Sequence, residues 1–396
     1  MRGALLLISP PTSSILLVSR FCPSRAHAGG LRILDIYALI KERLPGVQLD
    51  LYTCHRPDID GNIDEIHKIF DRVYLSPHEK LSPKGLSALR TDARVYDIVD
   101  IQFHQFGLDF SGFSRLAKTV LFTPMESKAL ALLTSLKTIF RPGGTLKLRT
   151  YSANLYYAYQ EIRCCFRVDK VVCVSDSDGA FLELVTRLKN ILVLETGVSA
   201  FEFGDVLNDV YASDIDPEGK QMEAVYVASF GADVNITALH WYLDFVHPKV
   251  KAAVPGYRLS VVGRGDMTTF LKYADASVNL IGEVPSIAPN IVQARLGIVP
   301  AVWGAGFRGK VNQYAILGLP CVASPIAVQG LAYEDRANIF VAAAPDLFAR
   351  GCVQLLTDPA LNARMGAAAR ELSLERYTWS SKWETIRQIY DLRAVA

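Results

Sequence analysis

The sequence predicts an α/β protein with two parallel-sheet domains facing each other across a cleft. Short apolar runs of strand length alternate with longer amphipathic segments along most of the chain. That is the pattern of parallel strands covered by helices on both faces. A length of 396 residues suits two such domains, which we divide as 1–200 and 222–377. The third observation is the placing of glycine. Gly29-Gly30, Gly231, Gly263, Gly282 and the run Gly304 to Gly309 each follow a strand-like run, and ligands in such folds bind beyond the carboxyl ends of strands.

Composition narrows the class. Half of the residues are hydrophobic and 21% are charged, as expected of a globular protein with large cores. The net charge of +2 gives no reason to expect a nucleic-acid partner. Seven cysteines without a C-x-x-C pair read as reduced, buried thiols of a cytosolic protein. Met1 to Ala28 has an early Arg2, an apolar run and Ala26-His27-Ala28, features of a signal peptide. Pro10 and Pro11 interrupt that run, and Ser14 to Ser19 serves better as a first strand. No later run reaches the roughly 18 apolar residues that a membrane span needs.

In the first half, strands are expected at Ile15 to Val18, Leu49 to Thr53, Val73 to Leu75, Tyr96 to Phe103, Thr119 to Thr123, Lys170 to Ser175 and Ile191 to Leu194. Helices are expected from Leu31 to Leu44 after Gly29-Gly30, and over Ile63 to Phe70, Tyr151 to Phe166 and Asp178 to Leu188. The acidic, weakly periodic stretch Phe201 to Glu223 reads as a linker. The alternation resumes with strands at Ala224 to Phe230, Arg258 to Val262 and Val278 to Ile281. One helix is expected over Asn235 to Val254 and another over Ile287 to Ala294. The last helices are expected near Asp346 to Leu356, Pro359 to Leu374 and Ser380 to Leu392.

The stretch from Val299 to Gly330 carries the chemistry. Ile298 to Trp303 is an apolar strand run, broken by Gly304, Gly306 and Gly309. Val311 to Leu317 reads as a helix that Gly318 caps and Pro320 stops. Cys321 to Ser324 is the next strand. A helix N-terminus offers free N–H groups and about half a positive charge. Arg308 and Lys310 add to it, making an anion site suited to a diphosphate.

From Val225 to Tyr377 the residues resemble the C-terminal domain of GT-B glycosyltransferases similar to family 4. The pieces that match are Phe230-Gly231 with Asn235, Leu259 to Gly265, Gly282-Glu283-Val284, Gly304 to Lys310, Gly318 to Ser324, Gln329-Gly330-Leu331 and Glu375 to Trp379. The resemblance implies a retaining enzyme with two Rossmann-like domains and no cofactor, whose substrate is a UDP- or GDP-sugar donor. Arg308 and Lys310 would neutralise the leaving diphosphate. Gly263 and the backbone at Val284 would flank the base, with Gly231, Gly304 and Gly306 in the same site, and Gly29 and Gly30 would approach the phosphates from the other domain. The final segment, 378–396, would pack back on the first domain. The acceptor would be a glycan or lipid-linked glycan, in polysaccharide or glycoconjugate biosynthesis, met in the cytoplasm or at the inner face of the membrane.

Members of that family often carry two glutamates eight positions apart, where this chain has Ala305 and Gln313. Gln313 keeps an amide able to hydrogen-bond a ribose hydroxyl but brings no charge of its own. Asp233 and Asn235 stand where the family has basic residues. His104 and Glu126 each end a first-domain strand and are candidate catalytic residues, His104 to bind the acceptor or donor sugar or to act as a base, Glu126 to orient an acceptor hydroxyl, with a structural hydrogen-bonding role the alternative for His104. His240 and Trp241 read as packing residues. Tyr151, Tyr156, Tyr157 and Tyr159 share a helix face and read first as packing residues, with contact to an acceptor or a membrane the functional alternative; Arg141, Lys147 and Arg149 lie just before it and read as solvated surface, or as contacts for anionic lipid or a lipid diphosphate acceptor. Asp214-Ile215-Asp216 falls in the linker, so no metal site is expected. A binding module without catalysis and a sugar-nucleotide epimerase are the competing readings.

Overall fold

A computed structural model describes residues 13–25, 28–78, 81–91, 94–103, 110–139, 148–208, 221–303 and 309–392. The strands are β1 Ser14–Ser19, β2 Gln48–Thr53, β3 Arg72–Leu75, β4 Tyr96–Gln102, β5 Ala117–Thr123, β6 Lys170–Cys173 and β7 Ile191–Val193, then β8 Glu223–Val227, β9 Arg258–Val262, β10 Val278–Gly282, β11 Leu296–Val299, β12 Cys321–Ala323 and β13 Phe340–Val341. They form two parallel sheets, in the orders β3-β2-β1-β4-β5-β6-β7 and β10-β9-β8-β11-β12-β13. The two-domain α/β fold anticipated from the alternation is therefore present. Each sheet is apolar on both faces because helices cover both. In the first domain Ile15 and Leu17 of β1 point into one buried cluster, and Leu16 and Val18 into the other.

In both sheets the order reverses beside the first strand, between β1 and β4 and between β8 and β11. At such a switch point the flanking crossovers run to opposite sides, leaving a crevice at the strands' carboxyl ends.

Two chain crossings join the domains side by side. On the way out, Val198 N–H donates to the Tyr377 carbonyl at 2.6 Å, and the helix Ala200–Asn208 follows. On the way back, Trp379 lies so close to Gly197 that a Cβ there would sit 2.7 Å from the indole ring. The helix Trp383–Ile389 then packs on the first-domain core through Ile386, Ile389 and Tyr390. Tyr390 also donates to the buried Asp100 at 2.7 Å, beside donors from Tyr37 and Gln102. These three donors offset part of the cost of burying a carboxylate.

Several boundaries differ from expectation for physical reasons. The strand expected at 298–303 is β11, Leu296–Val299, since Pro300 has no N–H for the ladder. Gly29 and Gly30 lie inside the first turn of the helix Ala28–Arg43 rather than before it. The helix expected over 235–254 is two helices, Asp233–Phe245 and His247–Ala253, interrupted just before Pro248. The stretch 201–223 is not all linker. Ala200–Asn208 is a helix whose Phe203 is buried in the second-domain core, and Glu223 begins β8. The last helix is a short 3-10 turn, Ser380–Lys382, leading into Trp383–Ile389. The helices Pro83–Leu89 and Lys128–Ile139 and the strand β13 go beyond the expected elements. All seven cysteines are buried and unbridged.

Candidate functional site

Between the sheets lies a cavity of about 1000 Å³. It opens at both switch points. Phe21 and Phe103 follow β1 and β4 on one wall, while Ala228 and Pro300 follow β8 and β11 on the other. A volume on this scale accommodates a nucleotide-sized ligand.

The second-domain wall is built around one tyrosine. β8 and β11 pair only through Leu296 with Ala224 and Gly297 with Val225. Tyr314, on the helix Gly309–Ile316, reaches into the split beyond. Its hydroxyl accepts from Val227 N–H at 3.0 Å and donates to the Val225 carbonyl at 3.2 Å. Gly297 makes room, since a Cβ there would meet the Tyr314 ring at 2.3 Å. The helix is thus pinned with its N-terminus at the cavity, where Gly309 and Lys310 line the wall. Lys310 Nζ donates to Asn235 Oδ1 at 2.7 Å and lies over the Tyr226 ring. Asn235 is itself oriented, because its Nδ2 donates to the Ser229 carbonyl at 2.8 Å. Gly263 has a φ of +143°, and a Cβ there would collide with the Ala228 carbonyl oxygen at 1.7 Å. Only glycine lets the backbone pass so close to the end of β8.

The crossing helix supplies a carboxylate. Gln313 Nε2 donates to Glu202 Oε2 at 3.1 Å, and both residues line the cavity. Burial raises the Glu202 pKa, and the Gln313 hydrogen bond partly opposes that rise. Next to it, Asp35 accepts from Ala200 N–H, the first amide of the helix, at 2.9 Å. Burial pushes the Asp35 carboxyl up to about 7, against the lowering effect of the nearby Ser199 hydroxyl and the Ala200 N–H.

The first-domain wall is also charged, but its charges are engaged. Arg32 is buried and donates to the Leu194 carbonyl at 2.7 Å and to Thr196 Oγ1 at 2.9 Å, with Trp379 against its guanidinium. Burial draws its pKa down to about 10, so it remains a cation at neutral pH. Arg25 pairs with Glu65 at 2.9 Å and donates to the Phe201 carbonyl. Glu126 is ion-paired with Lys128, and both line the cavity beside Tyr157.

The structure brings Lys310, Gln313, Gly263, Val284, Gly29 and Glu126 to this one cavity. Gly30 is buried behind Gly29, and Gly231 is exposed and is not among the lining residues. His104, Gly304, Gly306 and Arg308, with Arg141, Lys147 and Asp214-Ile215-Asp216, lie outside the described residues. His240 is held by Thr269 and Tyr273, a structural placement. Among the described residues no group of three or more His, Cys, Asp or Glu side chains could hold a metal ion. No described helix is long and apolar enough to cross a membrane.

Sequence reasoning missed Glu202, Asn235 and Arg32 as site residues. Glu202 had a signal: Ser199 followed three residues later by glutamate is a helix-start signature, and Phe203 lies just inside that start. Asn235 was read as a piece of the family match and as the loss of a basic residue, not as a partner of Lys310. Nothing in the sequence marks Arg32, whose partners lie more than a hundred and sixty residues away.

Comparison with known proteins agrees with this fold. Residues 222–358 match the family model of glycosyl transferases group 1. No curated protein matches the chain by sequence. Among solved structures, sucrose-phosphate synthase from Thermosynechococcus elongatus is similar at 15% identity and a TM-score of 0.70, over 96% of this chain and 98% of its own. Anabaena HepE, solved with UDP and glucose, is similar at 13% identity and a TM-score of 0.69, over 96% and 99%. WaaG, a glycosyltransferase involved in lipopolysaccharide biosynthesis, is similar at 14% identity and a TM-score of 0.60, over 95% and 99%.

Proposed function

We propose, from the match of residues 222–358 to the group 1 glycosyl transferase model, that this chain transfers a sugar from a nucleotide-diphosphate donor to a glycan or lipid-linked acceptor, with retention of configuration and without a metal. One observation carries the reading. The helix Gly309–Ile316 is pinned at the switch point with Lys310 at its cavity end, held in place by Asn235. As the bond between the sugar and the diphosphate breaks, negative charge gathers on the departing phosphate. A preorganised ammonium group at a helix N-terminus stabilises the charge as it develops. Arg308, two residues before Lys310, is assigned the same role from its sequence position. The first-domain wall, with Glu126, Lys128 and Tyr157, is left for the acceptor.

The choice of donor and acceptor draws on similar proteins. HepE was solved with UDP and glucose, and WaaG is involved in lipopolysaccharide biosynthesis. Leu155, Tyr156 and Tyr159 are exposed on the helix Leu148–Cys165, whose Tyr157 lines the cavity. We assign that face to peripheral contact with the cytoplasmic side of a membrane carrying the acceptor.

A panel of UDP-, GDP- and ADP-sugars tests the reading by release of the nucleoside diphosphate, with and without a strong chelator. Turnover of at least one donor that survives chelation supports it. Absence of turnover and of thermal stabilisation by every nucleotide would remove it. The anomeric configuration of the product, read by NMR, tests retention.

A further inference from the structure

Glu202 is a carboxylate that the crossing helix brings into the cavity. Its helix straddles the domains: Phe201 packs on the first-domain core and Phe203 is buried in the second. The backbone just before it is anchored twice, by Asp35 at Ala200 and by Arg25 at the Phe201 carbonyl. Glu202 is half-buried and faces no cation within ion-pair distance among the described residues. Its partner is the neutral amide of Gln313, which takes up Oε2 and leaves Oε1 to accept.

A negative group beside a diphosphate site repels the phosphates. It therefore suits an uncharged part of the ligand that is rich in O–H donors. Gln313 lies three residues after Lys310 on the same helix, about 4.5 Å further along its axis. The hydroxyl-bearing unit next to the diphosphate would sit at that distance. Both neighbours of a diphosphate in a nucleotide sugar, the ribose and the transferred sugar, carry adjacent hydroxyl groups.

The geometry points to Glu202, held by Gln313, as a donor-binding residue that accepts hydrogen bonds from a vicinal hydroxyl pair flanking the diphosphate. This rests on the glycosyltransferase reading. It also means that a charge the 309–316 helix lacks at Gln313 comes from a helix 111 residues earlier in the chain. Hydrogen bonds from a neutral donor to a charged acceptor are among the stronger ones in proteins, so removing the carboxylate should be visible in affinity.

The test is calorimetry on the full chain, comparing wild type with Glu202→Ala and Glu202→Gln. In the ribose arm, UDP and GDP are compared with their 2′-deoxyribose counterparts. In the sugar arm, UDP is compared with UDP-glucose. Wild type should prefer the hydroxylated ligand in one arm by about tenfold or more, and Glu202→Ala should bring that ratio close to one. The arm that collapses identifies the hydroxyl pair. Glu202→Gln, which keeps the shape without the charge, should fall between them and serves in place of Glu202→Ala if the latter does not fold. Ratios unchanged by both substitutions in both arms would overturn the inference while leaving the glycosyltransferase reading standing. A folded wild type that binds none of these nucleotides would overturn both.

Discussion

The two walls of the cavity are made differently. On the second-domain wall, one strand split, one tyrosine and one short helix place Lys310, with Asn235 orienting it. The residues that do this lie close to glycine-marked loops, and among the described residues that line this wall the ammonium group of Lys310 stands at one helix end. On the first-domain wall the charged groups are already committed. Arg32 and Arg25 hold the interdomain crossing, and Glu126 and Lys128 hold each other. A donor with a fixed diphosphate needs a wall with preorganised charge. An acceptor that brings only a hydroxyl can be met by a wall whose charges serve mainly to hold the domains together.

The largest effect separating the walls should come from Lys310. Lys310→Ala should slow turnover by about a hundredfold or more, since losing one transition-state donor costs about 2–4 kcal/mol. Thermal stability should barely change, because the side chain is only half-buried. Steady-state kinetics beside a melting curve checks this. Lys249→Ala, whose lysine pairs with Asp346 on the outer surface, should leave turnover unchanged.

The crossing that joins the walls should be sensitive to pH. Asp35 has its folded pKa raised, from 3.8 to about 7. A raised carboxyl favours folding while protonated, so its contribution is fully present below about pH 4 and is lost as pH rises to about 7. Asp35→Asn, which keeps an acceptor for Ala200 N–H, should therefore gain stability relative to wild type across that window. The gain should be on the order of a few kcal/mol. Urea unfolding at pH 4 and pH 7.5 measures it, and an equal difference at both would contradict the assignment.

Tyr390→Phe leaves Asp100 with one donor fewer in a buried site. It should cost about 1–3 kcal/mol of stability with little change in turnover. This sharpens the contrast between a staple and a catalytic group. The smallest effect belongs to Glu126→Gln. Its partly exposed pair with Lys128 contributes at most about 1 kcal/mol, so acceptor KM should shift by up to about fivefold with nucleotide affinity unchanged. A large loss of nucleotide affinity would move the donor onto the first-domain wall.

The contrast also explains what the sequence made legible. Both sheets could be read, because buried parallel strands are short continuous apolar runs with turns between them. The end of the 309–316 helix could be read from Gly318 and Pro320, and Gly318 does adopt a φ of +66°. Lys310 was readable as a site candidate because local chain chemistry puts a cation at that helix start, and Gln313 was readable only through the family resemblance. Glu202 was not, because its acidic neighbours made the stretch look solvated, and only the packing of Phe203 shows it to be ordered. Arg32 and Asp100 belong to contacts between distant segments, which leave no local period. The early ending of β11 was visible in Pro300, but the apolar residues after it outweighed the proline in the strand reading.

The central claim is that the diphosphate is held at the N-terminus of the 309–316 helix. Hydrogen exchange with and without saturating UDP, and separately GDP, tests it most directly on the unmodified chain. With the nucleotide that binds, slowed exchange should concentrate in peptides covering residues 309–316 and the ends of β8 and β9. Slowed exchange confined to first-domain peptides, with 309–316 unchanged, would contradict the claim.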